Sequence, residues 1–428
     1  MKFRSSSFAI LLLCFVVLLN RAAAQKSIVD EKPWNAHWID VPGQGTDYEV
    51  CLFRKTLDIA SKPATYVVNV SGDNRYKLFV NGNLVSIGPA RGDFYYWNYE
   101  TVDLAPYLTT GENVISAVVV NEGSWRPAAQ MSYGTGFILQ GETQTEEEIN
   151  TNKTWKCLRD TAYRPLTVEL IYNYYVAGPG EQVDMKFQPK NWQMPDFDDS
   201  AWPQANRLGK GWPKGQFNFD DGRELVPSPI PAREMVMQRL KVMRKADGVR
   251  LPATFPAEAG PIIIPANTKA TILLDQTYLT NAYPTIIFSK GKDAGISMSY
   301  AEGLYIIEPG NKNWRAQGNK GNRNEIEGKR FVGRKDSLIS DGSDKQQFTP
   351  FNWRTYRYLQ LIVQTKDEPL TIDDLYGTAT GYPFQYNVKF ESDNKQLDTI
   401  LQMGWHTARL CSAPPPRCFR RSDRRRCR

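Results

Sequence analysis

Between Trp34 and Tyr386 the chain shows almost no apolar repeat of helical period. What recurs is short alternating runs cut by Gly, Pro, Asn and Asp, as in "TYVVNVSG", "YKLFVNGNLVSIG" and "NVISAVVVN", then "IIIPANTKATILLD", "AGISMSYAEGLYII", "YRYLQLIVQT" and "LTIDDLYG". A period of two puts alternate side chains on opposite faces, so these runs are strands with one buried face. In the second run Asn81-Gly82 sits between two alternating arms, the strongest short hairpin signal a sequence carries. Many short strands with turn residues between them predict an all-β chain built of β-sandwiches.

A break falls at "ELVPSPIPARE" (Glu224 to Glu234), where closely spaced prolines remove backbone donors and favour an extended connector. It divides the body into two consecutive sandwiches, 25–228 and 229–387. The polar, Gly/Asn-rich stretch "PGNKNWRAQGNKGNRNEIEGKR" reads as a loop over a sheet. One amphipathic helix follows, in 388–411. Ser392 or Asp393 can cap its first amides, and Gln396 can close a capping box with Asp393. Leu397, Ile400, Leu401, Trp405 and Ala408 then share one face, which needs a cover.

The two ends differ from the body. Residues 1–24 read as a signal peptide, with a basic "MKFR", an apolar core from Phe8 to Leu19, and Ala22 and Ala24 before a mature start near Gln25. Those 12 apolar residues fall short of the about 20 a spanning helix needs, so no membrane span is expected and the protein is placed outside the cytoplasm, secreted or periplasmic. Residues 412–428 hold seven Arg and no Lys. They lack the interleaved aromatics of a nucleic-acid arm, and Cys411, Cys418 and Cys427 lack the close pairing of zinc ligands. Their composition is that of GC-rich DNA read out of frame, so the tail reads as disordered and never selected as protein. The formal charge is +7, but without the ten basic residues and one acidic residue of the two ends the body holds 43 basic and 45 acidic residues. It therefore presents no phosphate-binding surface, and nucleic acid is not a partner. Of six cysteines only Cys51 and Cys157 lie within the body, where buried thiols are the simpler reading over a disulfide.

Chemistry-bearing groups are sparse. The chain has two histidines, His37 between tryptophans and His406 on the last helix, so no Ser-His-Asp or Cys-His arrangement is readable. Glu325 and Glu327 in "NEIEGK" would project from one face of an extended stretch roughly 6.5–7 Å apart. That lies within the ~6.5–9.5 Å of an inverting glycosidase pair, although solvated loop charges are the default. Asp198 and Asp199 in "FDDSAW" suit a turn, with calcium as the sharper alternative; no other cofactor is indicated. The aromatic cluster "DFYYWNY" offers Asp93, Tyr96, Trp97 and Asn98 as a carbohydrate-binding surface, the competing reading being that such rings cover a sandwich.

Taken together and in order, "WNAHWID", "YKLFVNGNLVSIGPA", "TVDLAPYLTTGEN", "FDDSAW", "KGNRNEIEGK", "WRTYRYLQL", "DLYGTATGYPF" and "FESDNKQLDTILQMGWHTARL" resemble the non-catalytic N-terminal part of bacterial α-L-rhamnosidases, secreted inverting glycoside hydrolases. The resemblance covers Trp34 to Cys411. It implies a galactose-binding-like jelly roll for 25–228, which in some members binds rhamnose through calcium, then a second sandwich, then the first helix of an (α/α)6 catalytic barrel. It further implies a rhamnose-containing glycan as partner. The family's acid and base lie beyond the matched residues, so no catalytic residue carries over. An inactive N-terminal fragment is expected, and a stand-alone carbohydrate-binding protein is the alternative.

Overall fold

The computed structural model describes residues 32–43, 45–166, 177–216, 220–307 and 319–412. The signal peptide with Cys14, the tail from 413 with Cys418 and Cys427, and part of the Gly/Asn-rich loop lie outside them. In chain order the first strands are β1 (His37–Asp40), β2 (Glu49–Ile59), β3 (Val67–Asp73), β4 (Arg75–Val80), β5 (Asn83–Gly88), β6 (Trp97–Asp103) and β7 (Gly111–Asn121). Then come β8 (Gly136–Gly141), β9 (Lys156–Arg159), β10 (Tyr163–Leu166), β11 (Gly180–Asp184), β12 (Asn206–Lys210), β13 (Trp212–Pro213) and β14 (Glu224–Pro227). Beyond the proline-rich connector follow β15 (Glu234–Gln238), β16 (Val242–Asp247), β17 (Ile262–Ile264), β18 (Lys269–Lys290) and β19 (Gly295–Ala301). The last are β20 (Arg334–Ile339), β21 (Gln346–Phe348), β22 (Arg354–Gln364), β23 (Leu370–Gly381) and the helix α1 (Lys395–Cys411).

The first sandwich packs a five-stranded sheet, β5-β4-β7-β2-β9, on a seven-stranded one, β12-β1-β8-β3-β6-β14-β13. Asn81-Gly82 closes the β4–β5 hairpin, Val80 pairing with Asn83, both turn residues at positive φ as a type I′ turn requires. Phe53, Val68, Val70, Leu78, Ile115, Phe137 and Trp155 fill the space between the sheets. Strand β7 is apolar on both faces for a reason. Its outward Val118 and Val120 are covered, with Val50 and Leu52 of β2, by Trp192, Trp202 and Phe351.

The second sandwich hangs on the 22-residue β18. Its first half pairs with β16 and β22, its second with β23 and β21, and a bulge between Asp275 and Thr280 marks the change. Ile272, Leu274, Ile286, Phe288, Leu359 and Ile372 lie in the core. Sheet membership does not follow the proline-rich boundary. Strands β10 and β11 precede it, yet β11 runs parallel to β20, Gln182 opposite Ser337, and extends the second sheet.

Helix α1 is capped by Asn394, two residues after Ser392 and one after Asp393. Asn394 accepts from the Gln396 amide, while Ser392 accepts from Asn394, so the expected Asp393–Gln396 box is replaced. Its C-terminal half is docked: the His406 ring nitrogen lies 2.8 Å from the Leu279 carbonyl, Asn281 donates to the Leu410 carbonyl, and Trp405 packs on Phe384 and Tyr386. Leu397 and Ile400 remain exposed. No helix among the described residues is long and apolar enough to cross a membrane.

Several carboxylates are buried or partly buried. Glu100 on β6 accepts from the Ala90 amide and the Tyr76 hydroxyl, and burial pushes its pKa up to about 7 from 4.5. A proton held more tightly in the folded state stabilises it fully below the unfolded pKa, and this contribution is lost as pH rises through the folded one. Stability is therefore expected to fall by about 3 kcal/mol from this group between pH 4.5 and 8. A Glu100→Gln variant should show a flatter dependence of the urea midpoint on pH. An unchanged slope would mean that Glu100 is ionised in the fold across this range.

Candidate functional site

At one end of the first sandwich the loops enclose a cleft of about 380 Å³. Asp40 comes from the end of β1, Glu49 from the start of β2, Tyr133 and Gly134 from the loop before β8, and Asp221 and Arg223 from the segment before β14. Such a volume is in the range of small-ligand sites.

Arg223 is the fixed point. Its Nη2 lies 2.6 Å and its Nε 2.9 Å from the two oxygens of Asp221, a bidentate fork, and its Nη1 lies 3.5 Å from Asp73. The guanidinium stacks 3.6 Å over Trp38, with Trp97 at 5.7 Å and Tyr133 at 5.5 Å. Asp73, on β3, is fully buried; burial raises its pKa, opposed by Arg223 and by the Tyr133 and Gly134 amides that donate to it. One carboxylate thus ties the guanidinium to the rim of the cleft. Tyr133 keeps 57% of its surface exposed, and its ring lies where a Cβ on residue 222 would stand, so Gly222 makes room for it.

Glu49 accepts from Arg159 Nε at 2.9 Å, the Thr46 amide at 2.9 Å and Thr135 Oγ1 at 2.5 Å. Asp40 Oδ1 has no hydrogen-bond partner among the described residues, and burial raises the Asp40 pKa. Asp220 accepts from the Trp212 indole. Fixed carboxylate acceptors, pinned guanidiniums and an exposed phenol ring are what a polyhydroxylated ring needs: acceptors for adjacent hydroxyls and a flat face for its C–H side.

The four residues singled out by sequence do not form one exposed surface. Trp97 and Asn98 are buried, 4% and 2% exposed. Trp97 packs edge-on against Trp38 beneath Arg223, and the Asn98 amide donates to the carbonyls of Ala90 and Arg91. Asp93 and Tyr96 bridge each other in the preceding turn, with Lys214 4.0 Å over the Tyr96 ring. The aromatic density supplies the lining for a buried guanidinium. Asp40, Glu49, Tyr133 and Arg223 carried no local signal, because loops far apart in sequence bring them together.

The other candidates are placed as follows. Glu325 and Glu327 are exposed on successive turns, so the extended geometry expected of them does not form; Glu325 meets Asn322 and Lys329. Asp198 accepts from the Ser200 amide, and Asp199 pairs with Arg54 Nε at 2.8 Å. With Asp199 held by a guanidinium, this turn does not fit calcium, and among the described residues no three His, Cys, Asp or Glu side chains could hold a metal ion. Cys51 and Cys157 are free and buried, and burial raises both thiols, Cys157 to about 12. They sit diagonally across β2 and β9, Cys51 opposite Arg159 and Phe53 opposite Cys157, a spacing at or beyond the reach of a disulfide.

Residues 61–223 match the family described as "Alpha-L-rhamnosidase N-terminal domain". An alpha-L-rhamnosidase of Formosa agariphila is 24% identical over an alignment of 221 residues that covers 42% of this chain and 22% of that one. One of Alteromonas sp. is 22% identical over 205 residues, 42% of this chain and 21% of that one. The fold matches a GH78 family rhamnosidase of Bacillus sp. GL1 with a TM-score of 0.72 at 15% identity, over 89% of this chain and 58% of that one. The chain thus spans about a fifth of the length of the curated relatives it matches, and it corresponds to their N-terminal β-sandwich part.

Proposed function

We propose that this chain, whose residues 61–223 carry an α-L-rhamnosidase N-terminal domain, is the glycan-holding part of an exported rhamnoside hydrolase. Its first sandwich grips an uncharged sugar such as a terminal rhamnose in the cleft between Asp40, Glu49, Tyr133 and Arg223. The observation that carries this is the exposed Tyr133 ring beside fixed carboxylates with acceptor capacity left over at Asp40. The signal-like N-terminus supports export. Bond cleavage is assigned to residues other than those described, since Glu325 and Glu327 stand on turns in solvent. The same cleft would serve a stand-alone carbohydrate-binding protein.

Two measurements test the reading. The purified chain should release no aryl alcohol from an aryl α-L-rhamnoside above background; turnover abolished by Glu325→Gln would overturn this. Rhamnose should bind saturably, and Tyr133→Ala and Asp40→Asn should each weaken it by about tenfold or more. Binding that both variants leave intact would place the sugar elsewhere.

A further inference from the structure

A second constellation lies at the seam of the two sandwiches. Arg75 opens β4 in the first; Trp353, just before β22, and Arg233, just before β15, belong to the second. The Arg75 guanidinium lies 5.9 Å and that of Arg233 4.8 Å from the centroid of the Trp353 ring. Arg75 is 8% exposed, yet its buried Nε has no acceptor among the described residues. A buried guanidinium with no acceptor is costly, and natural structures supply one.

The surrounding charges leave room for an anion. Glu122, the carboxylate nearest in influence to Arg75, is buried, with one oxygen taking the Asn352 amide and the other without a hydrogen bond. Glu100 faces Arg233 but is engaged by Tyr76 and the Ala90 amide. Arg91, Arg334 and Arg354 also face Glu122, Arg334 held on the carbonyls of Ala177 and Gly178 and Arg354 on Asp336. Two guanidiniums thus meet at the ring of the partly buried Trp353.

We infer that this seam binds the carboxylate of a sugar acid, a uronate unit of a glycan, between Arg75 and Arg233 with its ring on Trp353. Guanidiniums receive a planar carboxylate bidentately, and an indole face takes the C–H side of a pyranose. The site is distinct from the neutral-sugar cleft, whose two guanidiniums are already taken by Glu49 and Asp221 and whose lining carries four carboxylates. The chain would thus read a polymer in which neutral and acidic sugars lie near one another.

The test is titration of the full chain with a uronate oligosaccharide, its methyl ester and a sulfated oligosaccharide, read by tryptophan fluorescence. The acid should bind saturably, with the ester weaker by about tenfold or more and affinity falling as salt rises. Arg233→Gln, on the half-buried arginine, should cost about tenfold while leaving rhamnose binding at the first cleft unchanged. Arg75→Lys, which keeps the charge and loses the fork, should also weaken the acid without altering the melting point. Equal binding of acid and ester, preference for the sulfated oligosaccharide, or an Arg233→Gln variant with wild-type affinity would each overturn the assignment. Loss of rhamnose binding alone would count against the first cleft and not against this site.

Discussion

An Arg354→Met variant is expected to lose about 3–5 kcal/mol of stability, read from the urea midpoint. Arg354 is 5% exposed and places Nε 3.0 Å and Nη2 2.5 Å from the two oxygens of Asp336, with Glu181 at 3.3 Å. Both carboxylates are buried, and Asp336 also accepts from the Glu181 amide. Removing the cation leaves two desolvated acids side by side. Burial already pushes Glu181 up to about 8, with Arg354 the main opposing influence. Glu181 thus holds its proton up to about pH 8 even beside Arg354, and more firmly without it, so its share of the penalty should stay level from pH 5 to 7 and grow as pH rises through 8. Replacing Asp336 and Glu181 by Leu and Met in the same background should recover most of the loss, since apolar groups of similar volume need no partner. A single variant losing less than about 1 kcal/mol would mean that water compensates these acids.

Arg223→Met is expected to cost the first sandwich a similar amount, again about 3–5 kcal/mol, and to abolish rhamnose binding with it. Asp73 and Asp221, 0% and 9% exposed as residues, would both lose their guanidinium, and Trp38 would lose the stacked cation. Because Asp73 also anchors the Tyr133 and Gly134 amides, the cleft rim should loosen even where the sheets survive. Arg223→Lys separates the two effects: it restores charge but not the fork, so stability should recover further than binding. Equal recovery of both would reduce Arg223 to a structural counter-ion.

The sheets were legible where the physics is local. Asn81-Gly82 must turn the chain whatever surrounds it, and alternation in β3 and β4 marks their inner faces. The site was not, for reasons visible in single residues. Trp97 and Asn98 look like a binding surface in sequence, but one neighbouring guanidinium draws the aromatic inward. Asp199 looks like a metal ligand until Arg54, 145 residues away, takes its carboxylate. Asn394 caps the last helix although Ser392 and Asp393 offer the same chemistry one or two residues earlier. For Trp97 and Asp199 the deciding partner is distant in sequence and adjacent only in the fold.

The parallel pairing of β11 with β20 also orders events in time. The Glu181 amide and its acceptor Asp336 are 155 residues apart, so this ladder closes only after most of the second sandwich has been made. The entropic cost of closing so long a loop grows slowly with length, but contacts of such separation slow the search for the native state. During synthesis the first sandwich can complete its own two sheets while β10 and β11 wait with an open edge, which is the kind of edge that recruits wrong strands. A gene cut at the proline-rich connector would make that wait permanent. A stable first half therefore calls for removing the β10–β11 hairpin as well, and the shortest unit that folds with every strand paired runs through β23.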